Sequence, residues 1–244
     1  MLRLIKLLFF GSLALLAFAL YKGDELPPPT RLLPQLQGEP VQKPTSRRPF
    51  DVHVNNIDYH IKPLYSYELY GLVVSKHEAD SFIDYAHKQW GDHLNTADLC
   101  VIWGENAFSG VYENMSFSSA QWTCYANASD QETWEQFSGE RLSNNYMLSD
   151  RRDILSALKK VRVGDQIHFK GYLAEYSHGD NFRRGSSTVR TDTGNGACET
   201  VYTESFDILQ RAPTRWRIIR WVAGLLLISC IYAWFALPHQ HHFD

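Results

Sequence analysis

Residues 149–174 read SDRRDILSALKKVRVGDQIHFKGYLA, and this stretch decides the fold class. Its first half begins with Ser149, a helix-capping residue, and places Ile154, Leu155 and Leu158 at helical spacing before two lysines. A Gly-Asp turn then leads into QIHFKGYLA, which is rich in β-forming residues. The stretch therefore predicts one helix that stands between strands of a mainly β domain.

Segments on both sides of this helix have strand character. Residues 65–75 alternate in polarity, residues 98–103 form a short apolar run, and residues 114–125 are predicted to pair with that run. Residues 186–191 and 198–209 complete a β-meander. Short strands around a single central helix favour a small, partly open, OB-like barrel. We therefore predict an α+β, mainly β fold.

Two further helices are also predicted in the domain. Residues 79–90 have apolar side chains at helical spacing, and Asp130 can cap a short helix that passes through Trp134 and Phe137.

Two uncharged apolar segments lie near the ends of the chain, at residues 7–21 and 221–238. The second is long enough to cross roughly 30 Å of hydrocarbon as a helix. The first, preceded by Arg3 and Lys6, is either a cleaved signal peptide or an uncleaved anchor, and we favour the anchor. The sequence therefore predicts a globular domain between two transmembrane helices.

The chain divides into four predicted regions. Residues 1–21 form an N-terminal transmembrane or signal-anchor helix, and residues 22–49, with seven prolines, form an extended spacer. Residues 50–210 form the globular domain, and residues 216–238 form the C-terminal transmembrane helix.

Positive charges give conflicting signals about topology. Arg3, Lys6 and the N-terminal amine precede the first helix and favour a domain outside the cytoplasm. Four arginines before the second helix favour the opposite side, namely Arg211, Arg215, Arg217 and Arg220. Because the first helix usually dominates and long loops translocate largely regardless of charge, we expect an extracytoplasmic domain.

The domain is acidic, with 13 Lys and Arg against 23 Asp and Glu in residues 50–210. A net charge of −10 has the wrong sign for a phosphate backbone, so we exclude nucleic acid as a partner. The expected partners are the membrane and other envelope or membrane proteins.

Residues 186–202, SSTVRTDTGNGACETVY, contain the candidate binding residues. Two strands with a reversal at residues 192–196 are predicted, because this turn supplies glycines and Asx residues. Arg190 and Glu199 would then face each other as a cross-strand pair. Alternatively, Arg190, Asp192 and Glu199 contact a ligand from a polar loop.

These residues also carry a resemblance. GDQIHFKGYLAEY at 164–176 and RGSSTVRTDTGNGACETVY at 184–202 resemble the GDxI…GxL…SSxxRxDxGxGACE signature of an uncharacterised family of short membrane-anchored bacterial proteins. DLCVIWGEN and SFSSAQWTC resemble an earlier block of the same proteins. The resemblance implies a bacterial inner-membrane protein with a periplasmic domain, and it implies no mechanism.

The cysteine pattern leaves two interpretations open. Cys100 and Cys124 are disulfide candidates if the domain is extracytoplasmic, whereas all three domain cysteines are buried thiols otherwise. The ten histidines show neither HExxH nor paired spacing, so no metal or cofactor is predicted.

Signatures of common enzymes are missing from the sequence, including GxSxG, the Walker loop and GxGxxG. We therefore predict no catalytic residues and expect a non-enzymatic, membrane-anchored accessory subunit whose acidic domain docks partner proteins in a bacterial envelope complex. One alternative is an OB-like module that senses a ligand or an oligomer. Another is an envelope hydrolase that uses Asp192, Glu199 and His168 for acid–base work.

Overall fold

The structure is a computed structural model that describes residues 2–22, 25–79, 89–120, 122–179, 181–194, 197–213 and 215–236. The chain divides into two compact units, the pair of terminal helices and the domain Leu26–Ala212. The helix predicted for residues 79–90 falls almost entirely outside the described residues.

The domain is mixed α+β and consists mainly of strands. Its strands are β1 (Val41–Pro44), β2 (Phe50–Val54), β3 (Ile57–His77), β4 (Asn95–Ile102), β5 (Met115–Ala120), β6 (Thr123–Ala128), β7 (Leu142–Leu148), β8 (Gln166–His178), β9 (Phe182–Arg184) and β10 (Cys198–Gln210). The helices of the chain are α1 (Leu2–Tyr21), α2 (Glu105–Phe108), α3 (Gln131–Gln136), α4 (Arg152–Lys160) and α5 (Arg215–Ala236).

Five strands form a ring of hydrogen bonds in the order β3-β4-β7-β10-β8, because β8 pairs back onto β3. Every neighbouring pair in this ring is antiparallel except β7 and β10, which are parallel. Strands β1 and β2 extend the sheet beside β3, and β9 pairs with β8.

The main core lies on the side of these strands that faces α4. Each strand of the ring contributes a fully buried residue to it, namely Leu69, Val101, Met147, Phe169 and Val201. The predicted helix α4 adds Ile154 and Leu158 to the same core. Ser149 accepts the Arg151 N–H at 3.3 Å just before α4, while Asp130 caps α3 by accepting the Thr133 N–H at 2.8 Å.

Strands β8 and β10 approach each other closely at Gly171. A Cβ atom there would lie 2.0 Å from the carbonyl oxygen of Tyr202, so this position requires glycine. The predicted strand at QIHFKGYLA forms the first nine residues of β8.

The predicted spacer at residues 22–49 is wrong over most of its length. Leu36 is fully buried, and the side chain of Gln166 binds both the Leu33 N–H at 2.6 Å and the Arg31 carbonyl at 2.9 Å. The leucines between the prolines pack into a hydrophobic cluster of the domain. Strand β1 pairs with β3 and so adds a short strand to the sheet. The domain therefore begins at Leu26 rather than near Phe50.

Residues 114–125 do not pair with β4 as predicted. Strands β5 and β6 pair with each other in a separate two-stranded sheet, and β4 is bounded by β3 and β7. The chain reverses before β6, where Trp122 adopts a positive φ of 60°.

The predicted hairpin between residues 187–191 and 198–202 is also wrong. Residues 187–191 are not a strand, and the Ser187 N–H bonds to the Cys198 carbonyl at 2.9 Å. The start of β10 instead pairs in parallel with β7, opposite residues 144–148. Gly194 has the positive φ (82°) that the predicted turn requires, while residues 195 and 196 lie outside the described part of the chain.

The two terminal helices pack against each other in opposite directions. Phe18 near the end of α1 contacts Trp216 at the start of α5, and Lys6 lies 5.5 Å from the ring of Trp234 at the other end. Both helices are long and apolar enough to cross a membrane, as judged by length and composition.

Candidate functional site

The candidate residues Arg190 and Glu199 lie at the same end of the strand ring, but not as a cross-strand pair. The Arg190 guanidinium lies 4.6 Å above the Trp103 ring and donates to the Glu140 carbonyl at 2.6 Å. It also lies 3.7 Å from the Glu39 carboxylate. Arg190 therefore fastens the segment before β10 onto this end of the domain.

Glu199 is buried rather than available to solvent. Its side chain is 5% exposed, and its Oε2 has no hydrogen-bond partner among the described residues. Burial raises the pKa of Glu199 to about 8, although the nearby Arg190 charge opposes that change. The carboxyl group is therefore largely protonated at neutral pH.

Asp192 lies on the wall of a groove, and its charge also raises the pKa of Glu199. Its carboxylate accepts a hydrogen bond from the Ser187 hydroxyl, and residues 195 and 196 of the predicted turn lie outside the described part of the chain. Of the three candidate residues, Asp192 alone lines the groove.

The groove encloses about 800 Å³ on one face of the domain. Residues 122–126 of the β5–β6 hairpin form one wall, and residues 192–194 with residues 197 and 198 form another. Residues 134–140, which include the end of α3, close a third side. Leu142 and Asn144 of β7 contribute to its lining.

Asn144 is the polar group of β7 in this groove. Its side chain is 4% exposed, its Nδ2 lies 4.0 Å from the Cys198 sulfur, and its Oδ1 has no donor within the described part of the chain. A buried amide oxygen without a partner costs stability unless a bound group supplies a hydrogen. A hydrogen-bond donor that reached this oxygen from the groove would satisfy it.

Aromatic rings and carboxylates line the rest of the groove. Tyr125 is 49% exposed and Trp134 is 50% exposed. Glu140 and Asp192 contribute carboxylates, and no Lys, Arg or His belongs to the lining that the described residues form. The groove thus combines flat apolar faces with hydrogen-bond acceptors.

The tip of the hairpin wall is held in a strained conformation. Trp122 has a positive φ, which is uncommon for a bulky residue and persists where its surroundings determine it. Its ring stacks on Trp90 at 4.8 Å, and the Arg184 guanidinium lies 4.8 Å from the same ring. The Tyr146 hydroxyl donates to the Trp122 carbonyl at 2.7 Å. These contacts fix the groove wall in place.

A disulfide ties the same wall to the strand ring. Cys100 of β4 and Cys124 of β6 are bonded, with their Cα atoms 5.8 Å apart. Cys198 is a free, half-buried thiol in the groove, and burial raises its pKa. A raised pKa lowers the thiolate fraction, so Cys198 is poorly suited to act as a nucleophile.

His168 lies elsewhere and does not join Asp192 and Glu199. Its Nε2 lies 2.9 Å from the Glu68 carboxylate, and it is opposite Asp207 in the β8–β10 pairing. Asp207 is eight residues beyond Glu199 on β10, which at about 3.3 Å per residue separates them by roughly 26 Å. The proposed hydrolase set is therefore not assembled.

The described residues contain no cluster of three or more His, Cys, Asp or Glu side chains that could hold a metal ion.

Sequence reasoning missed the groove residues Tyr125, Trp134 and Asn144. Tyr125 and Trp134 were assigned to a strand and a helix because alternation and capping do not reveal which aromatic rings stay exposed. Asn144 falls in LSNNYML, where consecutive polar residues gave no strand signal. The sequence feature that comes closest to indicating the groove is the QWTCY run, which places aromatic residues around a disulfide cysteine.

Comparisons of the chain with protein-family models, with curated proteins and with solved structures gave no match.

Proposed function

We propose that this chain is a non-enzymatic, membrane-anchored accessory subunit of the bacterial envelope whose domain binds a ligand in the groove. The observation that carries the proposal is the buried, unpartnered amide oxygen of Asn144 among exposed aromatic rings. Ligand sites commonly combine apolar and aromatic walls with a few well-placed polar groups. Of the functions considered from the sequence, ligand binding agrees best with this geometry.

The strand order supports an OB-like barrel as the identity of the ring. Such barrels have five strands in a Greek-key arrangement. Here β4 and β7 would be the second and third barrel strands, and α4 follows β7. OB folds bind ligands over the second and third strands and beside the loop between the fourth and fifth. The groove lies over β7 and beside the segment between β8 and β10, which supports its use as a binding site.

A periplasmic position in the bacterial inner membrane is the location we propose. The two apolar terminal helices and the Cys100–Cys124 disulfide support it, because disulfides persist in oxidising compartments.

The labelling rate of Cys198 tests the groove as the binding site. The experiment uses the full-length protein with Cys230→Ser and compares a small thiol reagent in intact membranes with the same protein after purification. We expect slower labelling in membranes, where the ligand is present. The control Asp51→Cys, at a position that is 73% exposed on β2, should label equally in both samples. Equal Cys198 rates in both samples would count against the proposal.

Protein docking is a second candidate function, and the open edge of β2 favours it. Within the described residues, β2 pairs with β3 alone. An open strand edge can accept a strand from a partner protein. If a partner protein docks on β2, a photoreactive residue in place of His53 should crosslink to it, and a protease should degrade the crosslinked partner. The absence of such a crosslink would argue against this second role.

A further inference from the structure

We infer that the groove binds an uncharged, hydroxyl-rich oligosaccharide chain, an inference that rests on the proposed function. It follows from three properties of the groove: the acceptor at Asn144, the sign of its charges, and the exposure of its aromatic rings.

The acceptor at Asn144 favours an uncharged donor. Its amide oxygen is buried and has no partner among the described residues. An ammonium group would have to lose most of its hydration to reach this oxygen, and a neutral amide does not compensate a buried charge. A hydroxyl or an amide N–H satisfies the oxygen without burying a charge.

The charges of the groove exclude anionic ligands. Glu140 and Asp192 carry carboxylates, and the described lining contains no basic side chain. Cationic ligands gain little from these two groups, because Glu140 is exposed and Asp192 already accepts the Ser187 hydroxyl. Carboxylates do, however, accept hydrogen bonds from sugar hydroxyls.

The aromatic rings favour a ligand with flat apolar faces. Tyr125 and Trp134 are each about half exposed, and both line the groove. A pyranose ring presents C–H groups on one face and hydroxyls at its rim, so it can stack on such rings while it bonds to the acceptors. A chain of several sugars also suits a groove of about 800 Å³.

Titration of the full-length protein in lipid nanodiscs tests this inference. The probes are two neutral hexasaccharides, of β-1,4-linked N-acetylglucosamine and of α-1,4-linked glucose, with hexalysine and a hexathymidylate as charged comparisons. We expect saturable binding of at least one hexasaccharide and none of the hexathymidylate. Trp134→Ala should weaken saccharide binding about tenfold through loss of stacking.

Asn144→Leu separates a ligand role from a structural one. At similar volume, the substitution removes a buried amide whose oxygen has no partner among the described residues and whose Nδ2 makes only one weak contact there, with the Cys198 sulfur. The unfolding midpoint should therefore not fall. Saccharide binding should weaken about tenfold. The control Asp51→Ala, on exposed β2, should change neither quantity.

Two results would overturn the inference. One is the absence of saturable binding by either hexasaccharide; the other is saccharide binding that both groove variants leave unchanged. If hexalysine alone binds and protects Cys198 from labelling, the ligand class is wrong but the groove remains a binding site. If Cys198 is in addition labelled at equal rates in membranes and after purification, the result contradicts the proposed function as well as the inference.

Discussion

At the scale of single residues, Glu199 has the most consequential environment. Its carboxyl group is buried and its pKa is raised to about 8, compared with an ordinary value of 4.5. Between these two values, the unfolded chain has lost this proton while the folded chain keeps it. Because the unfolded state then binds fewer protons, the free energy of unfolding falls as the pH rises through this window.

We predict that Glu199→Gln removes this dependence. In the unsubstituted protein the Glu199 contribution should fall by up to about 1.4 kcal/mol per pH unit between pH 5 and 8. The glutamine variant should be more stable at pH 8 and should show a flatter profile, measured by chemical denaturation across that range. The exposed Glu140→Gln serves as the control and should keep the original slope. An unchanged slope in Glu199→Gln would contradict the assignment.

At the scale of elements, the β5–β6 hairpin forms a groove wall that several contacts hold in place. The Cys100–Cys124 disulfide links it to β4 across a sequence separation of 24 residues. Trp122 at its tip contacts Trp90 and Arg184. The groove therefore depends on covalent and packing contacts outside the strand ring.

Replacement of both disulfide cysteines, Cys100→Ser with Cys124→Ser, should lower the free energy of unfolding by about 3 kcal/mol, because the unfolded chain regains the entropy of an open loop. Cys198→Ser is the matched control and should change it by less than about 1 kcal/mol. Urea denaturation under non-reducing conditions measures both. A double variant as stable as the control would show that the bond does not stabilise the domain.

The segment before β1 belongs to the domain core, and Leu36→Ala tests this. The side chain of Leu36 is fully buried, so its truncation should cost about 3 kcal/mol of stability. Gln35→Ala, at an exposed neighbour, should cost less than about 0.5 kcal/mol. If the two variants were equally stable, the result would support the prediction that residues 22–49 form an extended spacer.

Local patterns predicted some elements and missed others for physical reasons. The helix α4 and the strand β8 follow from periodicity and composition, which neighbouring residues determine. The predicted cap Ser149, however, lies two residues before the actual N-cap, Arg151. Strand β7 has no such signal, because Ser143, Asn144 and Asn145 are polar yet buried by neighbouring strands. The parallel pairing of β10 with β7 joins residues about 50 positions apart, so the adjacent turn in the sequence wrongly suggested a hairpin.

The site was predictable only in part. Arg190, Asp192 and Glu199 do lie near one end of the domain, yet each has a different role: contact with Trp103, lining of the groove, and burial. The three residues differ in how exposed they are to solvent, and the spacing of residues within one segment does not determine that exposure.

At the scale of the whole molecule, two apolar helices flank a disulfide-bonded domain. We predict that the domain and the chain termini lie on opposite sides of the membrane. An alkaline phosphatase reporter should be active when fused after residue 49 and inactive when fused after residue 244. The reverse activities would place the domain in the cytoplasm and leave the disulfide without its oxidising compartment.

The central claim is that the groove is occupied in the living cell, and photo-crosslinking at Tyr125 tests it most directly. An azidophenylalanine at this position keeps an aromatic ring on the groove wall of the full-length protein, and Asp51 supplies a more exposed control position on β2. We predict that irradiation of growing cells yields a discrete adduct at position 125 that is absent at position 51. No adduct at position 125, or the same adduct at both positions, would contradict the claim.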